Sequence, residues 1–357
     1  MPRMRILGSR KCVYVLPLTA FLIMLMFFLQ YHNLGTVTTT QTKYDSEKQE
    51  LHFLYQYDSE KQELIHVLKK ATMPDRTVIL TMVDESHAKP GSILEVFLKS
   101  FKYGQGTQRF LSHLVIITMD LQAFQYCRLL HPYCIHPSTF EPYFSTKRRS
   151  VTTPDHSVLF SWRRNHVLMQ VIELGYNIIF TETDVLWLKS PLVNFHPQLE
   201  LSISCNFVSD GERAYSVQEG GIFFMKANYV TPEFLKHWKL TKVLYPDSNL
   251  DESMCATLEI HEELVDIYGF RVHRIDTNHF GGFCQRYDGM LEDAYTIHAN
   301  CCDDLKNKVH DLRIVLDDWI RLRNRVSKNN ATEKTALRWP QKCTQHSALK
   351  FSQRIHI

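Results

Sequence analysis

Residues 177–192 read NIIFTETDVLWLKSPL, and the reading of this stretch decides the fold. Ile178, Ile179 and Phe180 form an apolar run that leads directly into Glu182 and Asp184, after which Val185–Leu188 is apolar again. A short apolar run of this kind is the pattern of a strand buried on both faces. Carboxylates at its end are costly unless a cation or hydrogen-bond donors meet them. In an extended segment residues two apart point the same way, so Glu182 and Asp184 are expected to share one side. The end of a strand in an α/β sheet is also where ligands bind.

The flanks extend the pattern. Residues from about Val158 to Leu174 have helical periodicity and stop at Gly175, directly before the strand Asn177–Thr181. Upstream, Thr77–Val83 (TVILTMV) and His113–Met119 (HLVIITM) read as buried strands, and Leu121–Leu130 as a helix. SILEVFLKSF has Ser92 and Glu95 at capping-box spacing, with Ile93, Val96, Phe97 and Phe101 on one helical face. Downstream, strands are expected at Leu201–Val208, Ile222–Lys226 and Thr296–Ala299. Helices are expected at Pro232–Leu240, capped by Thr231, and at Leu305–Arg323. Strands alternating with helices predict an α/β domain with a mostly parallel sheet flanked by helices.

The N-terminus points to a membrane. Cys12–Leu29 (CVYVLPLTAFLIMLMFFL) carries no charge, and it reaches the length of about 18 residues that can span a bilayer. Arg3, Arg5, Arg10 and Lys11 precede it, and no Lys or Arg follows until Lys43. The positive-inside rule therefore predicts a cytosolic tail (residues 1–11), an uncleaved signal anchor (12–29) and a lumenal remainder. The rival reading is a cleaved signal peptide, but Gln30–Asn33 offers no small-x-small site. YDSEKQEL occurs at Tyr44–Leu51 and again at Tyr57–Leu64. Residues 30–73 are read as a polar stem, with homodimer formation through it as the alternative. Residues 74–325 form the main domain and 326–357 a polar tail.

A lumenal body makes structural disulfides the expectation for Cys127, Cys134, Cys205, Cys255, Cys284, Cys301, Cys302 and Cys343, with their connectivity open. Asn330-Ala331-Thr332 is a glycosylation sequon. The net charge of +3 is small for 357 residues, and Lys147–Arg149 and Arg321–Arg325 read as solvated clusters. No nucleic-acid partner is expected. Walker A, G-x-S-x-G and H-E-x-x-H motifs are absent, and YGQGTQ (Tyr103–Gln108) reads as a turn, which takes dinucleotide oxidoreductases out of the front rank.

Two hard carboxylate oxygens at a strand end suit Mg²⁺ or Mn²⁺ with substrate phosphates completing the shell. Taken alone, such a pair reads better as solvated loop acids or an Asp capping a turn; with the apolar runs on both sides the two readings are about even. Longer matches in sequence order favour the first reading. DRTVILTMVDESHAKPGSILEVFLKSF, HLVIITMD, SWRRNHVLMQVIELGYN, LGYNIIFTETDVLWLKSPL, EGGIFFMKAN, FGGFC and IHANCCDDLKNKVHDLRIVLDDW span residues 74–324. Together they resemble plant nucleotide-diphospho-sugar transferases of glycosyltransferase family 77, with the GT-A fold, a Rossmann-like mixed sheet and a D-x-D motif.

That resemblance implies roles by position. Asp184 matches the last acid of D-x-D and Glu182 stands where the family has Asp, so both become metal ligands, with His298 of IHANCC completing the site. Asp251 and Glu252 fall beside the donor sugar as catalytic residues, Glu252 replacing the Gln of related retaining enzymes. Thr81, Asp84, Arg163, Arg164, Gly220 and Gly221 become donor-binding, with Arg163 and Arg164 unranked as partners of the diphosphate. The implied activity is Mn²⁺- or Mg²⁺-dependent, retaining transfer of arabinose, xylose or galactose from a UDP-sugar. The acceptor would be a cell-wall polysaccharide or glycoprotein in the Golgi lumen. The alternative is a catalytically weak or inactive lumenal binding or scaffold protein of the same fold, which the departures at Glu182 and Glu252 favour. A hydrolase would need two acids facing each other across a cleft, and two acids on one side of a strand do not provide that.

Overall fold

In the computed structural model the chain divides into two units, Met1–Ser59 and Glu60–Ile357. The residues described are 21, 24–26, 58–137, 156–209, 214–244, 254–255, 258, 269–276, 279–283, 291–300, 302, 304–326, 338 and 340–343. Most of the expected anchor, the first YDSEKQEL copy, Asp251, Glu252, Asn330, Cys284 and Cys301 lie outside them. Among the described residues no helix is long and apolar enough to cross a membrane.

The strands of the second unit are β1 (Thr77–Val83), β2 (Leu114–Thr118), β3 (Cys134–Ile135), β4 (Asn177–Thr181) and β5 (Val185–Trp187). They continue with β6 (Leu201–Ser209), β7 (Ala214–Met225), β8 (Val272–Arg274), β9 (Phe280–Gly282) and β10 (Thr296–His298). The helices used below are α1 (residues 58–71), α2 (Glu85–Ala88), α3 (Ile93–Tyr103) and α4 (Leu121–Leu130). They are followed by α5 (His156–Glu173), α6 (Thr231–Leu244) and α7 (Leu305–Val326).

The main sheet has the order β3-β2-β1-β4-β7-β6-β8. Pairing is parallel from β3 to β4 and between β6 and β8, and antiparallel on both sides of β7. The expected mixed, mostly parallel α/β architecture is therefore present. Alternation along β1 sorts its side chains onto two faces. Val78, Leu80 and Met82 join the core under α1, α5 and α6, with Leu64, Val171 and Trp238. Ile79 and Val83 join the core under α3 and α4, with Phe97, Phe101, Ala123 and Trp187. A third core lies between α7 and α3, where Leu312, Leu316 and Trp319 meet Ile93 and Val96. Thus α3 is apolar on two sides, and it ties α7 to the main sheet.

Four local expectations are corrected. Glu182–Asp184 is a turn rather than extended chain, with the Val185 N–H donating to the Glu182 carbonyl at 3.3 Å. This turn ends β4 and sends β5 into a second sheet of order β5-β10-β9. Thr231 is the first residue of α6, not its cap; the Asn228 side chain accepts from the N–H groups of Val230 (3.0 Å) and Thr231 (2.9 Å) instead. The box at Ser92 is shifted: Glu95 accepts from the Gly91 N–H (2.9 Å), while the Ser92 hydroxyl donates to the Ser86 carbonyl (2.6 Å). The packed body also starts before residue 74, because Leu64, Leu68 and Ala71 of α1 are buried in its core.

Gly175 ends α5 with φ +79°, a conformation that costs other residues a steric penalty, and Arg76 donates to its carbonyl at 3.0 Å. Disulfides join Cys127 to Cys134, Cys205 to Cys255 and Cys302 to Cys343. Trp187 seals the junction of the two sheets. Its ring stacks on Phe101 (4.5 Å) and donates to the Thr181 hydroxyl (3.1 Å), and its backbone N–H donates to the Ser100 hydroxyl (3.0 Å). Trp187→Ala should lower unfolding stability by about 3–5 kcal/mol in chemical denaturation. Replacing Tyr229, which is 88% exposed, with Ala should change stability by less than about 0.5 kcal/mol.

Candidate metal centre

Three segments far apart in sequence meet at the turn after β4. β10 pairs antiparallel with β5 in a register that sets His298 opposite Val185, one residue past Asp184. The Ala299 N–H donates to the Asp184 carbonyl (3.0 Å), which locks the crossing. On the other side the Glu182 N–H donates to the carbonyl of Gly221 in β7 (2.8 Å). Gly221 has φ +69°, and a Cβ there would stand 2.6 Å from Val185 Cγ2 and 3.0 Å from the His298 ring. Glycine is required at 221 so that the imidazole can lie against the strand.

His298 Nε2 stands 3.1 Å from Glu182 Oε2 and 3.2 Å from Asp184 Oδ1. One ligand atom from each of the three residues lies within 4.8 Å of the others. Separations near 3 Å are about those of neighbouring ligands on an octahedral ion with bonds of roughly 2.1 Å. Two carboxylates and an imidazole suit a first-row divalent ion. A single Nε2 facing two acceptors, with Nδ1 buried and without a partner, is a poor hydrogen-bonding solution and a good ligand geometry. The residues present fit a divalent cation.

The acids are also met by two side chains outside this triad. Lys308 of α7 donates to Asp184 Oδ2 at 2.7 Å. Arg164 of α5, with its guanidinium over Phe180 and Trp238, reaches Glu182 Oε1 at 3.5 Å. Burial alone would raise the Asp184 carboxyl, but Lys308 and His298 hold it well below its ordinary range. Glu182 is lowered as well: burial and Asp184 push it up, while the bond from His298 and the charges of His298 and Arg164 outweigh them. For His298 burial opposes protonation, yet Asp184 and Glu182 raise it to about 9.

The other expected site residues are placed as follows. Arg163 donates to the Met119 carbonyl (3.2 Å) at the end of β2, so of the two arginines only Arg164 reaches the acids. Asp84 caps α2, accepting from the His87 N–H (3.0 Å), the Ser86 hydroxyl (2.7 Å) and His87 Nδ1 (2.6 Å). Thr81 is fully buried in β1. Gly220 lies in β7. Lys308 was not among the expected residues, although a signal for it exists: lysine in the first turn of a helix opposes the helix dipole and calls for another partner.

Known proteins place this geometry in a family. Residues 109–312 match the model of the nucleotide-diphospho-sugar transferases, and the chain belongs to that family. It is therefore a glycosyltransferase that uses a nucleotide-sugar donor. An uncharacterised Arabidopsis thaliana protein is 32% identical over 281 residues, covering 78% of this chain and 72% of its own. A second from the same organism is 31% identical over 256 residues, with 69% and 74% covered. Among solved structures, a glycosyltransferase involved in glycosylation of the major capsid of PBCV-1 matches with a TM-score of 0.39 at 12% identity, over 66% of this chain and 98% of its own.

The raised His298 value sets a pH dependence. In the cation-free chain the native imidazole keeps its proton up to about 9, whereas the unfolded one releases it near 6.5. The stability this proton confers is full below pH 6.5 and is lost as pH rises through 9. In chelator, the Tm of the wild type should fall across that interval more steeply than that of His298→Gln. Equal slopes would remove His298 as the source.

Proposed function

We propose that this chain is a divalent-cation-dependent, retaining transferase that moves a sugar from a UDP-sugar to a lumenal acceptor, with Glu182, Asp184 and His298 as the cation ligands. The observation that carries this reading is the convergence of ligand atoms from those three side chains, within 4.8 Å, from the turn after β4 and the end of β10 of a nucleotide-sugar transferase. A bound Mn²⁺ or Mg²⁺ supplies positive charge against the diphosphate leaving group. The chain's own residues set the rest. Asp184, with 10% of its side chain exposed, is the fixed ligand, and Glu182, with 34% exposed, is the adjustable one. Arg164 stands behind Glu182 and orients its carboxylate. Asp251 and Glu252 are assigned to the donor sugar, and Gly220 and Arg163 to the donor side of the cleft.

The sequence features in residues 1–29 support a type II anchor in the Golgi membrane, with glycosylation at Asn330. The glycosyltransferase family 77 resemblance supports arabinose, xylose or galactose as the sugar and a cell-wall polysaccharide or glycoprotein as acceptor. A secreted product processed at its N-terminus would overturn the anchor.

A screen of UDP-sugars with the purified chain tests the activity. Turnover should need Mn²⁺ or Mg²⁺, and Asp184→Ala should lower kcat/KM by on the order of 10²–10³, as expected for loss of a preorganised charge at the leaving group. Glu182→Ala should cost less. An Asp184→Ala variant as active as wild type would place the site elsewhere. Cation-dependent UDP binding without turnover of any donor would select the scaffold alternative.

A further inference from the structure

A groove of about 580 Å³ runs along α7, between that helix and the loop that joins α2 to α3. Pro90, Leu305, Val309 and Ile314 give it an apolar lining, and Lys89, Lys306, His310 and Arg313 line it as well. Its lining residues on α7 reach from Leu305 to Asp317, a rise of about 18 Å along the helix. The two walls are tied together: Arg313 donates to the Gly91 carbonyl (2.7 Å), and Glu95 accepts from the Gly91 N–H (2.9 Å). The groove is not the metal centre. At about 100° per residue, Lys306, Arg313 and Asp317 lie roughly 140–180° around α7 from Lys308, whose ammonium meets Asp184.

Charge is sorted across this helix. Residues 305–326 hold six Lys and Arg against three Asp. Asp311 and Asp318 are buried and engaged by the C-terminal segment. Asp311 accepts from the N–H groups of Lys342 (2.9 Å) and Cys343 (2.8 Å), and Asp318 accepts two bonds from Arg338, both at 2.6 Å. Of the three acids only Asp317 is exposed, whereas Lys306, Arg313, Arg321, Arg323 and Arg325 all are. Lys89 adds an exposed cation from the opposite wall. Asp304, the other acid in the lining, is held as the cap of α7, where it accepts from the Asn307 N–H (2.9 Å). The arginines at the end of α7 continue the positive face beyond the groove.

We propose that this groove is an exosite for a carboxylate-bearing saccharide, holding one stretch of an acidic acceptor chain while another stretch of it reaches the metal centre. The inference rests on the saccharide acceptor proposed above and names its chemical class. An apolar lining takes the C–H faces of sugar rings, and ammonium and guanidinium groups around it take carboxylates. Exposed ion pairs are individually weak, so the groove gains affinity by repeating them along one chain. A chain held there is concentrated at the reaction centre, as linkage of two binding sites requires. An anionic bilayer offers the same charge, but a flat surface does not enter a groove whose lining is apolar.

Calorimetric titration of the full chain with a galacturonic acid oligomer tests this, with the carboxyl-reduced form of the same oligomer as the neutral control. The acid form should bind, weaken as salt screens the contacts, and exceed the reduced form in affinity on the order of tenfold, the sum of several exposed pairs. The double variant Lys89→Ala/Lys306→Ala should weaken the acid form roughly fivefold, the scale of two such pairs, and Asp317→Asn should tighten it about twofold. The reduced form should change in neither variant. Equal affinity for the two forms, or variants that bind the acid form as the wild type does, would overturn the exosite and leave the transferase reading standing. Vesicles of anionic phospholipid that bind where the oligomer does not would overturn it in favour of a membrane contact. An oligomer held by the groove in a chain that turns over no donor would uphold the exosite and overturn the transferase reading instead.

Discussion

Asp184 lies where the chain leaves the main sheet, and at this depth a carboxylate stays ionised only where positive charge meets it. His298 and Lys308 supply that charge at its two oxygens, and the contact with each requires a separate piece of the fold to arrive in register. Burying a charge against two partners is costly if either is lost, since the remaining group is left without compensation. The second sheet, α7 and the closing disulfide between Cys302 and Cys343 all hold the partners of this one side chain in place. A cluster built this way is stable with its own cations, and it is also a ready ligand set for an external one.

The topology explains how the acids come to share a site without sharing a strand. β4 is a central strand, hydrogen-bonded to β1 on one side and β7 on the other, so its end cannot drift. The turn at Glu182–Asp184 then redirects the chain by three residues into β5, which is anchored by the buried Trp187 between Phe101 and Phe110. Because β5 pairs with β10, the ring of His298 is delivered to the same turn from more than a hundred residues away. Gly221 removes the one side chain that would block it. Backbone pairing does the positioning, and the site residues need little freedom of their own.

Much of this was legible in the sequence because it depends on local pattern. Runs such as Thr77–Val83 and Leu114–Thr118 carry no charge and are apolar or threonine at every position, the pattern of a doubly covered strand, and both are buried throughout. The family motifs then singled out Glu182, Asp184 and His298. Features set by long-range register were not legible. Neither the turn at Glu182–Asp184 nor the partner of β5 has a local signature, since VLW is compatible with continued strand or with a new sheet. Arg163 and Arg164 are adjacent in a helix, about 100° apart around its axis, and only the position of α5 on the sheet decides that Arg164 turns to the acids. The surroundings of Thr81 and Asp84 were not legible for a related reason: ends of strands look alike in sequence whether the side chain is buried, as at Thr81, or caps the next helix, as at Asp84.

The substitution of glutamate at position 182 fits this arrangement better than it fits a loss of function. Its carboxylate is already at 3.1 Å from His298 and meets Arg164, so the added methylene is taken up without withdrawing the charge from the cluster. An aspartate in the same turn would carry its oxygens about one bond nearer the backbone. With the longer side chain both acids stand against the imidazole. Two carboxylates then stand against one imidazole, a donor set that would suit a divalent ion.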